Sequence, residues 1–449
     1  MKPNITTTLL VLSILFFGSF RLSAQSSRKY SLQQLVEAAK KNNRMLTIKD
    51  YQVQEKMSKL KEDEIKRYPT ATLDGSYQYN FTLPDFVIPA GTLGSVPTGN
   101  GTTQPLPATD SKFRVGEKGM YAVGFGIYQP LTQQFKINTG LAIDKTDIQL
   151  GQKEKEKATL QVELAIEQLY YAAMITQKQT ESAGAKLEMT KAKLQDAEGA
   201  LAAEKTTVAN ISGLRAGVAY EEQHILKLSI QLQDYLSDLS ELTNLDAGTL
   251  KLSEIEPDST ALQPVDVYKR AAEKNPEIAI ARLNQEKASL GIKAASESNL
   301  PDLGIIAGYN LQHGNPILPG SSPYVGLSLR WNLQDLFSNK QVKNQRMFQL
   351  KQAEESVAYA RQQVTSGIDK AWRKVKQSDV LIETAKKLVR YRSDALKEEQ
   401  DKQVAGMDIK TTLLARKSEL AEAEAELYTA KLSNLLALAE LRNLTGGKQ

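Results

Sequence analysis

Few residues in this 449-residue chain are of the kinds that do chemistry. There is no Cys, so thiolate nucleophiles, disulfides and sulfur-ligated zinc are excluded. The only two histidines, His224 and His313, stand 89 positions apart, which leaves little material for a His-based metal centre or a catalytic triad. His224 reads as an ordinary helix residue and His313 as part of an external loop. Adjacent carboxylates occur at Glu221-Glu222 and Glu354-Glu355. Neighbouring positions on a helix do not share a face, so these pairs read as solvated surface rather than an acid–base couple. No HExxH, Walker, Gly-x-Ser-x-Gly or dinucleotide fingerprint is present. The sequence therefore predicts no enzyme, no metal site and no cofactor.

One charged cluster stands at a break in a helical pattern: Asp401, Lys402, Gly406, Asp408 and Lys410. Gly406 permits a helix to end and the chain to reverse. Leucine periodicity resumes at Leu413. The expectation is a tip between paired helices. In a symmetric oligomer one carboxylate per subunit, from Asp401 or Asp408, would form a ring around an axis. Such a ring attracts cations, with Lys402 and Lys410 available as countercharges.

The elements around that tip form a duplicated plan. Tyr30 to Tyr79 and Leu262 to Tyr309 read alike: an amphipathic stretch, a Lys-Asn pair at Lys41-Asn42 or Lys274-Asn275, then helix up to Pro69 or Pro301. Asn43 and Asn275 are 232 residues apart, and so are Pro69 and Pro301. The halves also end alike, in Glu241-Leu242-Thr243-Asn244-Leu245 and Glu440-Leu441-Arg442-Asn443-Leu444. The expected division is a first repeat over 25–261 and a second over 262–449.

After each proline the hydrophobic period changes to two. Strands are expected near 71–81 and 120–131, and near 302–311 and 323–333. Tyr77, Val123, Phe125, Leu327 and Leu329 fall on apolar faces and are the expected lipid-facing residues. Ser76, Gln78, Ser328 and Arg330 fall on the opposite faces. Tyr79, Tyr121, Tyr128, Tyr309, Tyr324 and Trp331 are expected outward or at a membrane interface. Segments of about ten residues alternating in this way match the membrane-barrel pattern, and also a soluble sheet with one dry face. The first strand pair is joined by a long Pro-, Gly- and Thr-rich loop, the second by a short one.

The remainder reads as two long helical hairpins, near 132–245 and 336–444. Gly199 and Gly406 are placed near their turns, and Gly140, Gly151 and Gly184 are possible interruptions. Leu413, Leu420 and Leu427 recur every seven residues, as do Ala423, Ala430 and Ala437, which is a coiled-coil seam. Each chain supplies four strands, whereas a closed bacterial barrel needs at least eight. A membrane barrel therefore requires several copies. Three give twelve strands and two give eight.

The N-terminal stretch resembles an export signal: Lys2, an apolar run over Leu9 to Phe17, and a cut expected after Ala24, giving a signal peptide over 1–24. Without Lys2 and Arg21, 55 basic residues stand against 52 acidic ones. That balance, spread along the chain, does not suggest nucleic acid as a partner. No later apolar run is long enough for a membrane helix.

Together the duplicated unit, the strand exits Gln129-Pro130-Leu131 and Trp331-Asn332-Leu333, and the turn Val404-Ala405-Gly406 followed by Ile409, Leu413 and Leu414 resemble the TolC-type outer-membrane efflux protein family. The resemblance covers nearly the whole chain after the signal. It departs at Thr132-Gln133-Gln134-Phe135 and Gln334-Asp335-Leu336-Phe337, where the family often has a Phe-Asp-Gly-Gly-like run. It implies an α+β membrane protein: a homotrimer whose twelve-stranded β-barrel sits in outer-membrane lipid and continues as a periplasmic α-helical barrel. The implied function is the outer-membrane channel of a tripartite efflux system, working with a periplasmic adaptor protein and an inner-membrane pump. Gly406 and its neighbours would form the adaptor-contacting end. A secretion duct for polypeptides and a non-channel periplasmic coiled-coil protein are the alternatives.

Overall fold

The computed structural model describes residues 29–255, 262–315, 318–405, 407 and 410–447. The expected signal, Gly406 and Asp408 lie outside the described residues. The chain divides into two units, each drawing on both sequence halves.

The first unit holds the described residues up to Lys49, Lys155–Pro276, and those from Arg361 on. It opens with a short strand, β1 (Lys29–Tyr30), and helix α1 (Leu32–Asn42). Ser31 starts α1 with a capping box: its hydroxyl accepts from Gln34 N–H, while the Gln34 side chain accepts from Ser31 N–H. Leu35 and Ala39, one turn apart, are fully buried. They pack with Ile166, Tyr170 and Met174 of helix α3 (Gln133–Ala202) and with Leu239 and Leu432 of two further helices. The Tyr170 hydroxyl bonds to the Ser253 carbonyl, and burial pushes its pKa up to about 12. β1 pairs in parallel with β8 (Lys251–Leu252), and a short helix α5 (Val265–Ala271) follows later in the unit.

Two asparagines tie this unit's helix ends together. Asn43 accepts from Met45 N–H and Leu46 N–H and donates to the Leu242 carbonyl at 2.9 Å. Asn275 donates to the Leu444 carbonyl, also at 2.9 Å. The sequence repeat is thus repeated as a contact. Close by, Arg442 bonds both carboxylate oxygens of Glu167 at 2.7 Å.

The second unit holds Asp50–Glu154 and Glu277–Ala360. Its sheet comprises β2 (Thr70–Tyr79), β7 (Gly119–Pro130), β9 (Asp302–His313) and β10 (Ser321–Arg330), in the order β10-β9-β7-β2, all antiparallel. Helix α2 (Arg44–Ile65) leads into β2, and helix α6 (Pro276–Glu297) leads into β9. Lys287 on α6 bonds Asp147 on α3 at 2.6 Å. The strand entries are locked by Thr132, whose hydroxyl donates to the Pro301 carbonyl and accepts from Leu303 N–H.

The four long helices are α3 (Gln133–Ala202), α4 (Val208–Thr243), α7 (Gln334–Val404) and α8 (Lys410–Leu444). The 70 residues of α3 correspond to about 105 Å of helix. Gly140, Gly151 and Gly184 do not interrupt it. At Gly151 the missing side chain makes room: a Cβ there would stand 3.3 Å from Val53 on α2.

Other expectations need correction. Phe81 lies beyond the end of β2, and β10 stops at Arg330. Asn332 instead accepts from Gln334 N–H and opens α7, while Trp331 donates to the Asn299 carbonyl. The turn between α3 and α4 is not at Gly199, which is helical. It lies at residues 203–207, where Glu204 adopts φ 58° and Thr207 caps α4. The long loop is structured as two nested hairpins, β3 (Asp85–Ile88) with β6 (Ser111–Arg114) and β4 (Ser95–Thr98) with β5 (Thr102–Pro105).

Candidate functional site

The register of the sheet assembles one continuous apolar face. Tyr77 pairs Tyr121, Leu73 pairs Phe125, Val123 pairs Leu311, and Phe125 pairs Tyr309. Across the other pair, Ile305 meets Leu327 and Leu303 meets Leu329. In an antiparallel pair, opposed residues share a face. Tyr77, Val123, Phe125, Leu327 and Leu329 therefore stand together, and in the single chain they are exposed, Leu327 by 78% and Tyr77 by 71%. An exposed apolar patch of this extent on one side of a sheet calls for a covering medium.

The other face is made of small and polar residues: Thr72, Ser76, Gln78, Gly124, Gly126, Asn310, Ser328 and Arg330. Tyr128 and Tyr324 also belong to it, which corrects the outward placement expected for them. Each ring lies over a glycine. A Cβ on Gly304 would stand 2.3 Å from the Tyr128 ring, and one on Gly308 would stand 2.5 Å from the Phe125 carbonyl oxygen and the Tyr324 hydroxyl. The signal was in the sequence: Gly304 and Gly308, four apart, share one face of a single strand, leaving a trough for rings.

The sheet does not close on itself. β2 bonds only to β7, and β10 only to β9, so each outer strand has one unpaired edge. Unpaired strand edges cannot face lipid. At one end of the sheet, His313 is the last paired residue of β9 rather than part of a loop. It stacks on Tyr121 with ring centroids 5.4 Å apart and lies 3.1 Å from Glu117.

In the helical unit, the end of α7 places the expected tip residues. Asp401 is exposed, and its carbonyl accepts from Ala405 N–H. Lys402 is held within its own helix by Glu398 at 2.9 Å and Glu399 at 3.3 Å. These carboxylates raise the Lys402 pKa, Glu398 most strongly. Lys410 is the first residue of α8. Thr411 donates to Asp196 on α3, tying the start of α8 to the other hairpin. Sequence reasoning missed Glu398, Glu399 and Asp196, because carboxylates on a polar helix carry no periodic mark.

The adjacent carboxylates also need correction. Glu354 and Glu355 are exposed, but Glu221 is buried, bonded to Lys186 on α3 at 3.0 Å. Glu222 pairs with Lys191 at 2.9 Å. Among the described residues, no group of three or more metal-ligating side chains is placed to hold an ion, and no helix is long and apolar enough to cross a membrane.

The described residues thus combine an open-edged sheet carrying one apolar face with two pairs of long helices. Residues 267–447 match the sequence model of the outer membrane efflux protein family. The fold of the whole chain is similar to that of the Campylobacter jejuni CmeC outer membrane channel, with a TM-score of 0.71 and 14% identity over 93% of this chain and 85% of that one. It is also similar to the outer membrane protein VceC from the bacterial pathogen Vibrio cholerae, with a TM-score of 0.69 and 15% identity over 93% and 96%. A membrane protein from Pseudomonas aeruginosa aligns with a TM-score of 0.71 and 13% identity over 93% and 91%. No curated protein sequence matches. The resemblance to the TolC-type outer-membrane efflux proteins read from the sequence is thereby borne out by the family model over residues 267–447, and the fold agrees over 93% of the chain.

Proposed function

We propose that this chain is the outer-membrane channel subunit of a tripartite efflux system, conducting small molecules passively out of the periplasm. The observation that carries the reading is the pair of free edges on a sheet with one exposed apolar face. Edge strand β2 of one copy pairs with β10 of the next. Three copies give a twelve-stranded barrel, wide enough for a lumen. Tyr77, Val123, Phe125, Leu327 and Leu329 face lipid, and the Ser328 and Arg330 face lines the lumen. The long helices extend into the periplasm.

The hairpin end at Asp401, Lys402, Gly406, Asp408 and Lys410 is the periplasmic tip. It meets an adaptor protein that couples the channel to an inner-membrane pump. Three copies place Asp401 or Asp408 as a carboxylate ring, whose field acts most strongly in a narrow opening.

The test is single-channel conductance of the purified protein in planar bilayers. Discrete conductance steps are expected, with cation preference reduced in Asp401→Asn or Asp408→Asn. The effect is larger at low salt, where charges are less screened. A protein that fractionates without detergent and conducts no current overturns the channel. Unchanged selectivity in both variants removes only the carboxylate ring.

A further inference from the structure

A cavity of about 690 Å³ lies within the helical unit, among α3, α4, α7 and α8. Its volume is in the range of sites that enclose drug-sized molecules, roughly 300–1,000 Å³. Its wall carries three carboxylates, Glu221, Glu422 and Glu426, against one ammonium, Lys186. That ammonium is already bonded to Glu221 Oε1 at 3.0 Å. Glu221 is only 5% exposed, and its second oxygen, Oε2, has no hydrogen-bond partner. A buried carboxylate oxygen without a partner is costly, and a hydrogen-bonded or ionic partner relieves that cost. Leu381, itself 62% exposed, and Leu388 add apolar surface to the same wall. The channel reading uses none of these groups.

We propose that this cavity binds an amphipathic organic cation. Its charge is held by Glu221 with Glu422 and Glu426, and its apolar body lies against Leu381 and Leu388. The sign follows from the wall: an anion would face three carboxylates and a lysine already engaged. A bare metal ion is disfavoured because the described residues offer no cluster of three ligands to hold it. All of its lining residues belong to one chain.

The experiment uses the full-length chain in detergent. Binding of tetraphenylphosphonium is measured by equilibrium dialysis against a detergent-matched blank, with tetraphenylborate as the anion of the same shape. Saturable binding of the phosphonium, one per chain, is expected, and no saturable binding of the borate. Glu221→Gln weakens it by at least about tenfold. The Glu422→Gln/Glu426→Gln double variant, at exposed positions that folding tolerates, weakens it as well. Ala425→Phe, on the same wall, abolishes it by filling the space. Non-saturable uptake, equal binding of both ions, or unchanged affinity in the double variant and in Ala425→Phe overturns the proposal. Where Glu221→Gln does not yield folded protein, the double variant decides.

Discussion

Asn275 donates its side-chain amide to the Leu444 carbonyl, 169 residues along the chain, and Asn43 makes the same kind of bond to Leu242, each at 2.9 Å. Both amides are buried. Both serve one physical need, since the last carbonyls of a helix have no partner within it. Replacing Asn275 with Ala leaves such a carbonyl without its donor. A loss of about 1–2 kcal/mol of stability is expected, and a similar loss for Asn43→Ala. Thermal unfolding followed by helical circular dichroism reads the change. An unshifted midpoint in both variants would show that solvent satisfies these helix ends equally well.

Gly308 is the strictest position in the sheet. A methyl group there meets backbone, the Phe125 carbonyl, which cannot swing aside. Gly308→Ala is expected to cost about 1–3 kcal/mol through overpacking. Gly326→Ala meets only Ile306, at 3.6 Å, and is expected to be nearly silent. The yield of heat-modifiable, folded sheet on gels separates the two. Equal yields would contradict the close packing of Tyr324 over β9.

The two sheet faces are separable at adjacent positions. Leu327→Arg puts a guanidinium on the apolar face and is expected to destabilise assembly by about 2–4 kcal/mol if the site lies near mid-bilayer. Ser328→Arg adds the same group to the face that already carries Arg330 and is expected to assemble. Urea resistance of the membrane-inserted protein measures the difference. Equal sensitivity of the two variants would refute the lipid assignment.

In the second unit, Asp144 on α3 is buried beside Asp63 on α2. Burial, and then the neighbouring Asp63 carboxyl, raise the Asp144 pKa above 3.8. The folded state therefore holds this proton more tightly than the unfolded state does. The stability it contributes is complete below about pH 3.8 and is lost as pH rises through the raised folded value. Asp144→Asn keeps a hydrogen-bonding group and removes the ionisation. The variant is expected to melt higher than the parent at neutral pH, with the gain shrinking as the medium is acidified toward pH 4. A gain independent of pH would mean that ionisation of this carboxyl is not its cause.

Much of this architecture was legible because periodicity records burial. The change from a helical period to alternation after Pro69 and Pro301 falls at the starts of β2 and β9, and Asn43 and Asn275, 232 residues apart, make the same kind of bond. Features set by partners distant in sequence were not legible. Tyr128 and Tyr324 look like interfacial aromatics until the register lays them over Gly304 and Gly308. Glu221 looks solvated because Lys186, which holds it, lies 35 positions earlier on another helix. The first hairpin turn was obscured because Ala200, Leu201 and Ala202 are strong helix formers that carry α3 past Gly199.

The two free edges of the sheet are unlike: β2 comes from the first half of the chain and β10 from the second. A ring closed through them joins copies head to tail, in contacts where neither edge meets its own kind. Such contacts set no stopping number by themselves; strand tilt and stagger decide when the circle shuts. In that circle, every second seam between strand pairs, β7 with β9, is already made within one polypeptide. Only the remaining seams cost the translational and rotational freedom of separate molecules. Fusing two hairpin units into one chain therefore halves the number of encounters needed for closure, and shortens the time an apolar face spends uncovered.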